Sequence, residues 1–220
     1  MARRSILIVA PHPDDETLGC GGTLARRAQE GFRIAVVVVT DGRNLFRSSR
    51  WRIETNPTPA ETSAMRTAET RRAVDILGGR SEAIRFLDVE DASLARHVER
   101  VSETMAEIIR QTAPDEIYVT SEHEAHPDHV AACAVVRSAM RKMPSHARLY
   151  RYMISLREGL VRSSILEPSV TIDISGQLEA KRRAVSQFAS HLKIVAKGQT
   201  EPFFTDVSQW LQPREVFLSG

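Results

Sequence analysis

Residues 5–16 of the chain read Ser-Ile-Leu-Ile-Val-Ala-Pro-His-Pro-Asp-Asp-Glu, an apolar run followed by a cluster of polar and acidic residues. The apolar run at 6–10 ends at Pro11, as is typical of a strand buried on both faces in a parallel sheet. Apolar residues then recur at helical spacing over 17–29, and Gly31 follows as a stop signal. A second apolar run covers 32–40. A strand, a helix and a strand at this spacing predict a right-handed crossover unit and therefore a parallel sheet.

The alternation of helical and strand patterns continues to the end of the chain. Periodicity predicts helices over 64–77, 94–111, 130–140 and 178–192, and strands over 83–87, 116–120, 148–154 and 171–174. Because helices and strands alternate, we expect a single α/β domain over residues 1–220. This domain should be Rossmann-like, with a mostly parallel sheet flanked by helices.

Residues 42–63 interrupt the regular pattern. The segment is rich in asparagine, serine and proline, and it also carries Phe46 and Trp51. A loop of this length inside a compact domain is usually functional or mobile. The alternative, given equal weight, is a surface excursion whose aromatic side chains pack onto the domain.

Composition excludes several classes of protein. The net charge is only +2 over 220 residues, and no basic run is interleaved with aromatics, so no nucleic-acid module is expected. The apolar run at 6–10 is too short to span a membrane and lacks a small-residue cleavage site, so neither a membrane span nor a signal peptide is predicted. Two distant cysteines, Cys20 and Cys133, argue against a disulfide framework and favour a cytoplasmic location. The oligomeric state is left open, a homo-oligomer included.

Two clusters of histidine and aspartate follow predicted strands. The first is His12-Pro13-Asp14-Asp15, directly after the strand at 6–10, and the second is His126-Pro127-Asp128-His129, soon after the strand at 116–120. Open α/β sheets bind ligands beyond the carboxyl ends of their strands, so both clusters are expected at one rim. A catalytic zinc takes about three His and carboxylate ligands, and a cation would also relieve the repulsion among three consecutive acids.

Simpler interpretations exist for each cluster taken alone. His12 could cap a helix, and Asp128 could be the N-cap of the helix predicted at 130–140. Both clusters together, each following a strand, make coincidence a poor explanation. His97 and His146 are interpreted as surface residues, His123 is left unassigned, and His191 is interpreted as structural. A serine hydrolase and a dinucleotide-binding enzyme are disfavoured because neither a G-x-S-x-G nor a G-x-G-x-x-G motif occurs.

The paired motifs Pro-His-Pro-Asp-Asp-Glu and His-Pro-Asp-His resemble those of the PIG-L/LmbE-like N-acetylglucosaminyl deacetylases. The resemblance runs over most of the chain. Looser matches are Arg66 with Glu69 at a helix start, and a C-terminal region that contains Asp173, Lys181, Ala184 and Ser190.

This resemblance implies a role for each residue of the two clusters. It implies that His12, Asp15 and His129 bind one zinc ion per chain and that Asp14 is the general base. His126 would be the acid or would stabilise the oxyanion, with Asp128 tuning it, and Arg66 would hold a substrate hydroxyl or phosphate-like group. Two positions depart from the family pattern: Glu124 stands where several members have an aromatic hydroxyl, and His191 stands where a glutamine is usual.

The predicted activity is zinc-dependent hydrolysis of the N-acetyl group of an N-acetylglucosamine-containing small molecule. Two alternatives remain. The first is an amidase for a longer acyl chain or a thiol conjugate, with the preference set by residues 42–63. The second is a metal-binding protein without catalysis, which would leave Asp14 and His126 without a purpose. Related ligand sets also accept iron or cobalt, so the prediction of a metal is firmer than that of zinc.

Overall fold

In the computed structural model, which describes residues 4–47, 52–53, 56–143, 145–155 and 166–219, seven strands form one mixed sheet. The strands are β1 (Ser5–Ala10), β2 (Arg33–Thr40), β3 (Arg85–Val89), β4 (Glu116–Thr120), β5 (Arg148–Tyr152), β6 (Ser169–Asp173) and β7 (Arg214–Ser219). Their spatial order is β3-β2-β1-β4-β5-β7-β6. The first five strands are parallel, which confirms the predicted sheet. β7 runs antiparallel to both β5 and β6, and the sequence did not reveal it.

Helices cover both faces of this sheet. They are α1 (Asp15–Gln29), α2 (Pro59–Ile76), α3 (Val98–Thr112), α4 (Pro127–Lys142), α5 (Leu178–Val185) and α6 (Ala189–Leu192). Alternate residues of β1 face opposite sides, as the strand period requires. Ile6 and Ile8 pack with α1, α2 and α5, whereas Leu7 and Val9 pack with α3 and α4. Among the described residues, none of the helices has the length and apolar character that crossing a bilayer requires.

Several helix boundaries differ from the prediction: α3 begins at Val98 instead of residue 94, and α4 begins at Pro127 instead of residue 130. α2 begins at Pro59 instead of residue 64, because Thr58 and Glu61 form a reciprocal capping box. The helix predicted over 178–192 is divided into α5 and α6. Of the long segment at 42–63, Phe46 is buried in a small cluster with Leu45, as the packed alternative expected. Trp51 lies outside the described residues.

The start of α1 lies very close to the sheet. A Cβ atom at Gly19 would overlap the ring of Tyr152, so only glycine allows α1 to approach β5 at this point. Next to it the helix is kinked, with Cys20 at φ −144° and ψ 21°. The kink leaves backbone groups of α1 in need of other partners.

A buried ion pair supplies partners at this kink. Both carboxylate oxygens of Glu215 accept from α1, one from the amide of Gly22 at 2.9 Å and the other from that of Thr23 at 2.7 Å. Lys181 Nζ donates to the carbonyl of Leu18 at 2.8 Å and to Glu215 at 2.7 Å. Residues of β7 and α5 therefore hold α1, the helix that begins at the end of the first cluster of histidine and aspartate.

Replacing Lys181 by Met should lower the free energy of unfolding by about 3 kcal/mol, because it leaves a buried carboxylate without its cation. Urea unfolding followed by circular dichroism measures the change. The matched control is Glu107→Gln, which breaks an exposed pair with Arg110 and should have little effect. Similar decreases in the free energy of unfolding in the two variants would show that the buried pair stabilises the protein no more than the exposed pair does.

Candidate metal centre and catalytic site

Both predicted clusters lie at the carboxyl ends of neighbouring strands. His12 follows β1, while His126 and His129 lie at the start of α4, which follows β4. β1 lies between β2 and β4, so the chain crosses from β1 to β2 on one side while β4 pairs with the other edge of β1. Open α/β sheets usually bind ligands at such a point, beyond the carboxyl ends of the strands. The ring centroids of His12 and His126 are 4.6 Å apart, and those of His12 and His129 are 5.1 Å apart.

Three donor atoms of these clusters form a nearly equilateral triangle. His12 Nδ1 lies 3.3 Å from Asp15 Oδ2 and 3.1 Å from His129 Nε2, and the two latter atoms are 3.2 Å apart. Zinc–nitrogen and zinc–oxygen bonds of about 2.0–2.1 Å place tetrahedral ligands about 3.3–3.4 Å apart. The triangle therefore has the size and the donor types of a three-ligand zinc site with a fourth position left for another ligand.

A second group of acids surrounds the other nitrogen of His12. Its Nε2 lies 3.2 Å from Asp91 Oδ1 and 3.3 Å from Asp128 Oδ2. Asp128 is itself held by the backbone amides of Ala92 and Leu94, at 2.7 and 3.0 Å. A carboxylate that accepts from Nε2 leaves Nδ1 free for a metal, as in many metal-binding histidines. Burial lowers the pKa of His12, but these carboxylates and Asp15 raise it well above its ordinary value.

These contacts refine one expectation from the sequence and add one residue to the site. The carboxylate of Asp128 lies against His12, and its link to His126 is its backbone amide, which donates to His126 Nδ1 at 3.2 Å. Asp91 was missed, although it follows β3 at the same rim and the rule used for the two clusters would have found it. His12, Asp91 and Asp128 could themselves hold a cation, but Asp128 already has three donors around it.

His129 is oriented by Glu124. The Nδ1 atom of His129 lies 3.0 Å from Glu124 Oε2, and the same carboxylate accepts from the amides of Ile154 and Ser155. Glu124 is fully buried, so this departure from the family pattern has a structural purpose. Burial lowers the pKa of His129, but Asp15 and Glu124 outweigh it and raise that pKa to about 9.

Asp14 lies beside the triangle without belonging to it. Its Oδ1 contacts Arg66 Nη2 at 3.1 Å, and its Oδ2 contacts His191 Nε2 at 3.2 Å. Its φ of 131° is strained for a residue with a side chain, and strain of this kind is common at functional sites. Burial raises the pKa of Asp14 to about 8, with Arg66 opposing and Asp15 adding to the rise.

Arg66 is engaged by the protein itself. Besides Asp14, its guanidinium donates to the carbonyls of Gly42 at 3.0 Å and Pro13 at 2.8 Å. A Cβ atom at Gly42 would overlap this guanidinium, so the glycine allows the loop to close on it. These contacts give Arg66 a role in positioning Asp14, and the predicted contact with substrate stays a prediction.

His126 is the N-cap of α4. Because its Nδ1 accepts the amide of Asp128, a neutral ring carries its proton on Nε2. Burial, together with the neighbouring His12 and His129, lowers the pKa of His126 to about 4. A neutral His126 is a hydrogen-bond donor through Nε2.

A cavity of about 700 Å³ opens over these groups. Its floor contains the histidines just described together with Asp14, Asp15 and Asp91. Much of its wall is apolar and aromatic, formed by Leu18, Leu45, Ile154, Phe203, Phe204 and Trp210. The last three residues come from the tail after α6, so the C-terminal part of the chain completes the site.

Comparison with known proteins finds relatives that are deacetylases by name. The chain is 27% identical to 1D-myo-inositol 2-acetamido-2-deoxy-alpha-D-glucopyranoside deacetylase of Rhodococcus opacus, with 99% of this chain and 92% of that protein covered. It is 29% identical to the probable N-acetyl-alpha-D-glucosaminyl L-malate deacetylase 2 of Bacillus cereus, with 97% of this chain and 91% of that protein covered.

Solved structures share the fold at lower identity. The A40926 pseudoaglycone deacetylase Dbv21 superposes with a TM-score of 0.74 at 21% identity and covers 99% of this chain and 97% of its own. GalB of Pseudomonas putida, a 4-carboxy-2-hydroxymuconate hydratase, gives 0.70 at 21% identity, with 84% and 79% covered. The fold thus also carries another reaction. The family model described as PIG-L, GlcNAc-PI de-N-acetylase, matches residues 7–140, and the chain belongs to that family.

Proposed function

We propose that the protein is a zinc-dependent hydrolase that removes the acetyl group from the nitrogen of an N-acetylglucosamine-containing small molecule. The observation that carries this proposal is the triangle of His12, Asp15 and His129 with the carboxylate of Asp14 directly beside it. The named deacetylase relatives in Rhodococcus opacus and Bacillus cereus act on amino sugars by their names, which supports the substrate class.

The reaction adds water to an amide and releases a carboxylate and an amine. Zinc in the triangle would polarise the amide oxygen and lower the pKa of water to about 7. A cation there would also favour the carboxylate form of Asp14, which otherwise has a raised pKa. Asp14 takes a proton from the attacking water, and the Nε2–H of His126 donates to the oxyanion that develops on the former carbonyl. The proton held by Asp14 then goes to the departing amine.

A second substrate class is favoured by the apolar wall. Besides packing on the apolar face of a sugar ring, Leu18, Phe204 and Trp210 could pack against a longer acyl chain on its nitrogen. Hydrolysis of a longer N-acyl group needs the same floor and the same chemistry.

The test is free-amine release from a panel of N-acylglucosaminides by zinc-loaded protein. We expect release from N-acetyl substrates, and the panel should extend from acetyl to octanoyl to rank the acyl groups. Rates that rise with chain length would favour the second class. No release from any amino sugar, with stoichiometric metal bound, would contradict the proposed function.

A further inference from the structure

The oxygen of Asp14 that faces away from Arg66 is held by a chain of buried side chains. His191 Nε2 contacts Asp14 Oδ2 at 3.2 Å, and the Nδ1 of the same ring lies 3.0 Å from Ser190 Oγ. Ser190 in turn contacts Glu69 through both its amide, at 2.9 Å, and its hydroxyl, at 2.6 Å. All of these residues are buried, with at most 5% of each exposed.

The direction of each hydrogen bond in this chain follows from the available protons. Both oxygens of Glu69 accept from Ser190, as an ionised carboxylate does, and the short contact uses the single hydroxyl proton. Ser190 Oγ can therefore only accept from His191. The proton of that second hydrogen bond must lie on His191 Nδ1, which fixes the orientation of the ring. Burial lowers the pKa of His191 well below its ordinary value, so the ring is neutral and its Nε2 is a hydrogen-bond acceptor toward Asp14 Oδ2.

Packing fixes the ring as well. The imidazole of His191 stacks on Phe204, with centroids 5.0 Å apart and planes at 23°, and it meets the edge of Phe203 at 5.4 Å. The break between α5 and α6 is what brings Ser190 and His191 to this place, since a continuous helix would give these residues another orientation. The break between α5 and α6, which the sequence did not predict, thus places two side chains at the site.

From these contacts we infer that Glu69, Ser190 and His191 form a relay that positions Asp14. With Arg66 on Oδ1 and His191 on Oδ2, the carboxylate of Asp14 cannot rotate freely, so one orientation toward the attacking water is maintained. His191 is a positioning residue and lies outside the metal triangle. The inference rests on the proposed role of Asp14 as the base, whereas the relay itself is a property of the fold.

The kinetic test compares His191→Leu with His191→Gln. Leu removes the hydrogen-bond partner of Asp14 Oδ2, and we expect kcat to fall about 10–100-fold with KM and metal stoichiometry unchanged. Gln restores a hydrogen-bonding group near the position of Nε2 and should recover most of the loss. The exposed His146→Gln is the control for a histidine change. Wild-type kcat in the Leu variant, or loss of bound metal in it, would overturn the inference.

A spectroscopic test separates the relay from the proposed function. In protein labelled with ¹⁵N-histidine, the signals of His191 are assigned by their absence in His191→Gln among seven histidines. We expect Nδ1 of His191 to be protonated in the wild type and to lose this signature in Ser190→Ala. An unprotonated Nδ1 would overturn the relay. If no amino sugar is hydrolysed, the proposed function fails, and this spectrum alone decides the relay.

Discussion

Replacing Asp14 by Asn should lower kcat for amine release by about 10²–10⁴-fold, because an amide cannot take a proton from the attacking water. Asn has nearly the same shape, and it tolerates a positive φ better than most residues, so the strained turn at φ 131° should persist. The metal should stay bound, since Asp14 contributes no atom to the triangle of donor atoms. The measurements are kcat and KM with the best N-acyl substrate, together with metal content by mass spectrometry.

Asp88→Asn is the matched control for this variant. Asp88 also has a positive φ, of 50°, but it is exposed on the edge strand β3. Its substitution should leave kcat unchanged. An Asp14→Asn protein that retains full activity with bound zinc would remove Asp14 from the mechanism. A protein that loses its zinc would instead place Asp14 among the ligands.

The structural features that were predicted best from the sequence are those that depend on residues close together along the chain. The apolar run of β1, the spacing of α1 and the run of β2 are local patterns, and all three elements appear where they were expected. Both clusters were recognised for the same reason, since each follows a strand closely along the chain. β7 was missed, and its place in the sheet depends on its pairing with β5 and β6, which lie far from it in the sequence.

The surroundings of the site were harder to predict. Glu124 and His191 were noticed only as departures from a family pattern, and their partners show what they do. His191 contacts Asp14, from which it is separated by 177 positions in the sequence, and Ser190 contacts Glu69, from which it is separated by 121. Such pairs are set by how helices pack on the sheet, and no periodicity in one segment reports them. The hydrogen bonds of Arg66 to Asp14 and to two loop carbonyls were likewise not predicted, and its predicted contact with substrate stays a prediction.

Two aspartates contact His12 at opposite nitrogens, and substituting them one at a time should reveal which nitrogen binds the metal. Asp15 lies 3.3 Å from Nδ1 and Asp91 lies 3.2 Å from Nε2, and both carboxylates are buried. If Asp15 is a ligand, Asp15→Asn removes one of three protein ligands, and stoichiometric zinc and all measurable amine release should disappear. Asp91→Asn should weaken zinc binding only about 10–100-fold, since Asp91 acts through the ring of His12.

Competition with a chelator measures zinc affinity for both variants, and it needs no substrate. The thermal midpoint provides a second readout, because zinc that binds only the folded protein should raise it in the wild type and in Asp91→Asn but leave it unmoved in Asp15→Asn. The reverse order of affinities would place the ion at Nε2, with Asp91 and Asp128 as its ligands. In that event Asp14 would no longer lie beside the metal, and the proposed general base would have to be sought among the residues that face the second group.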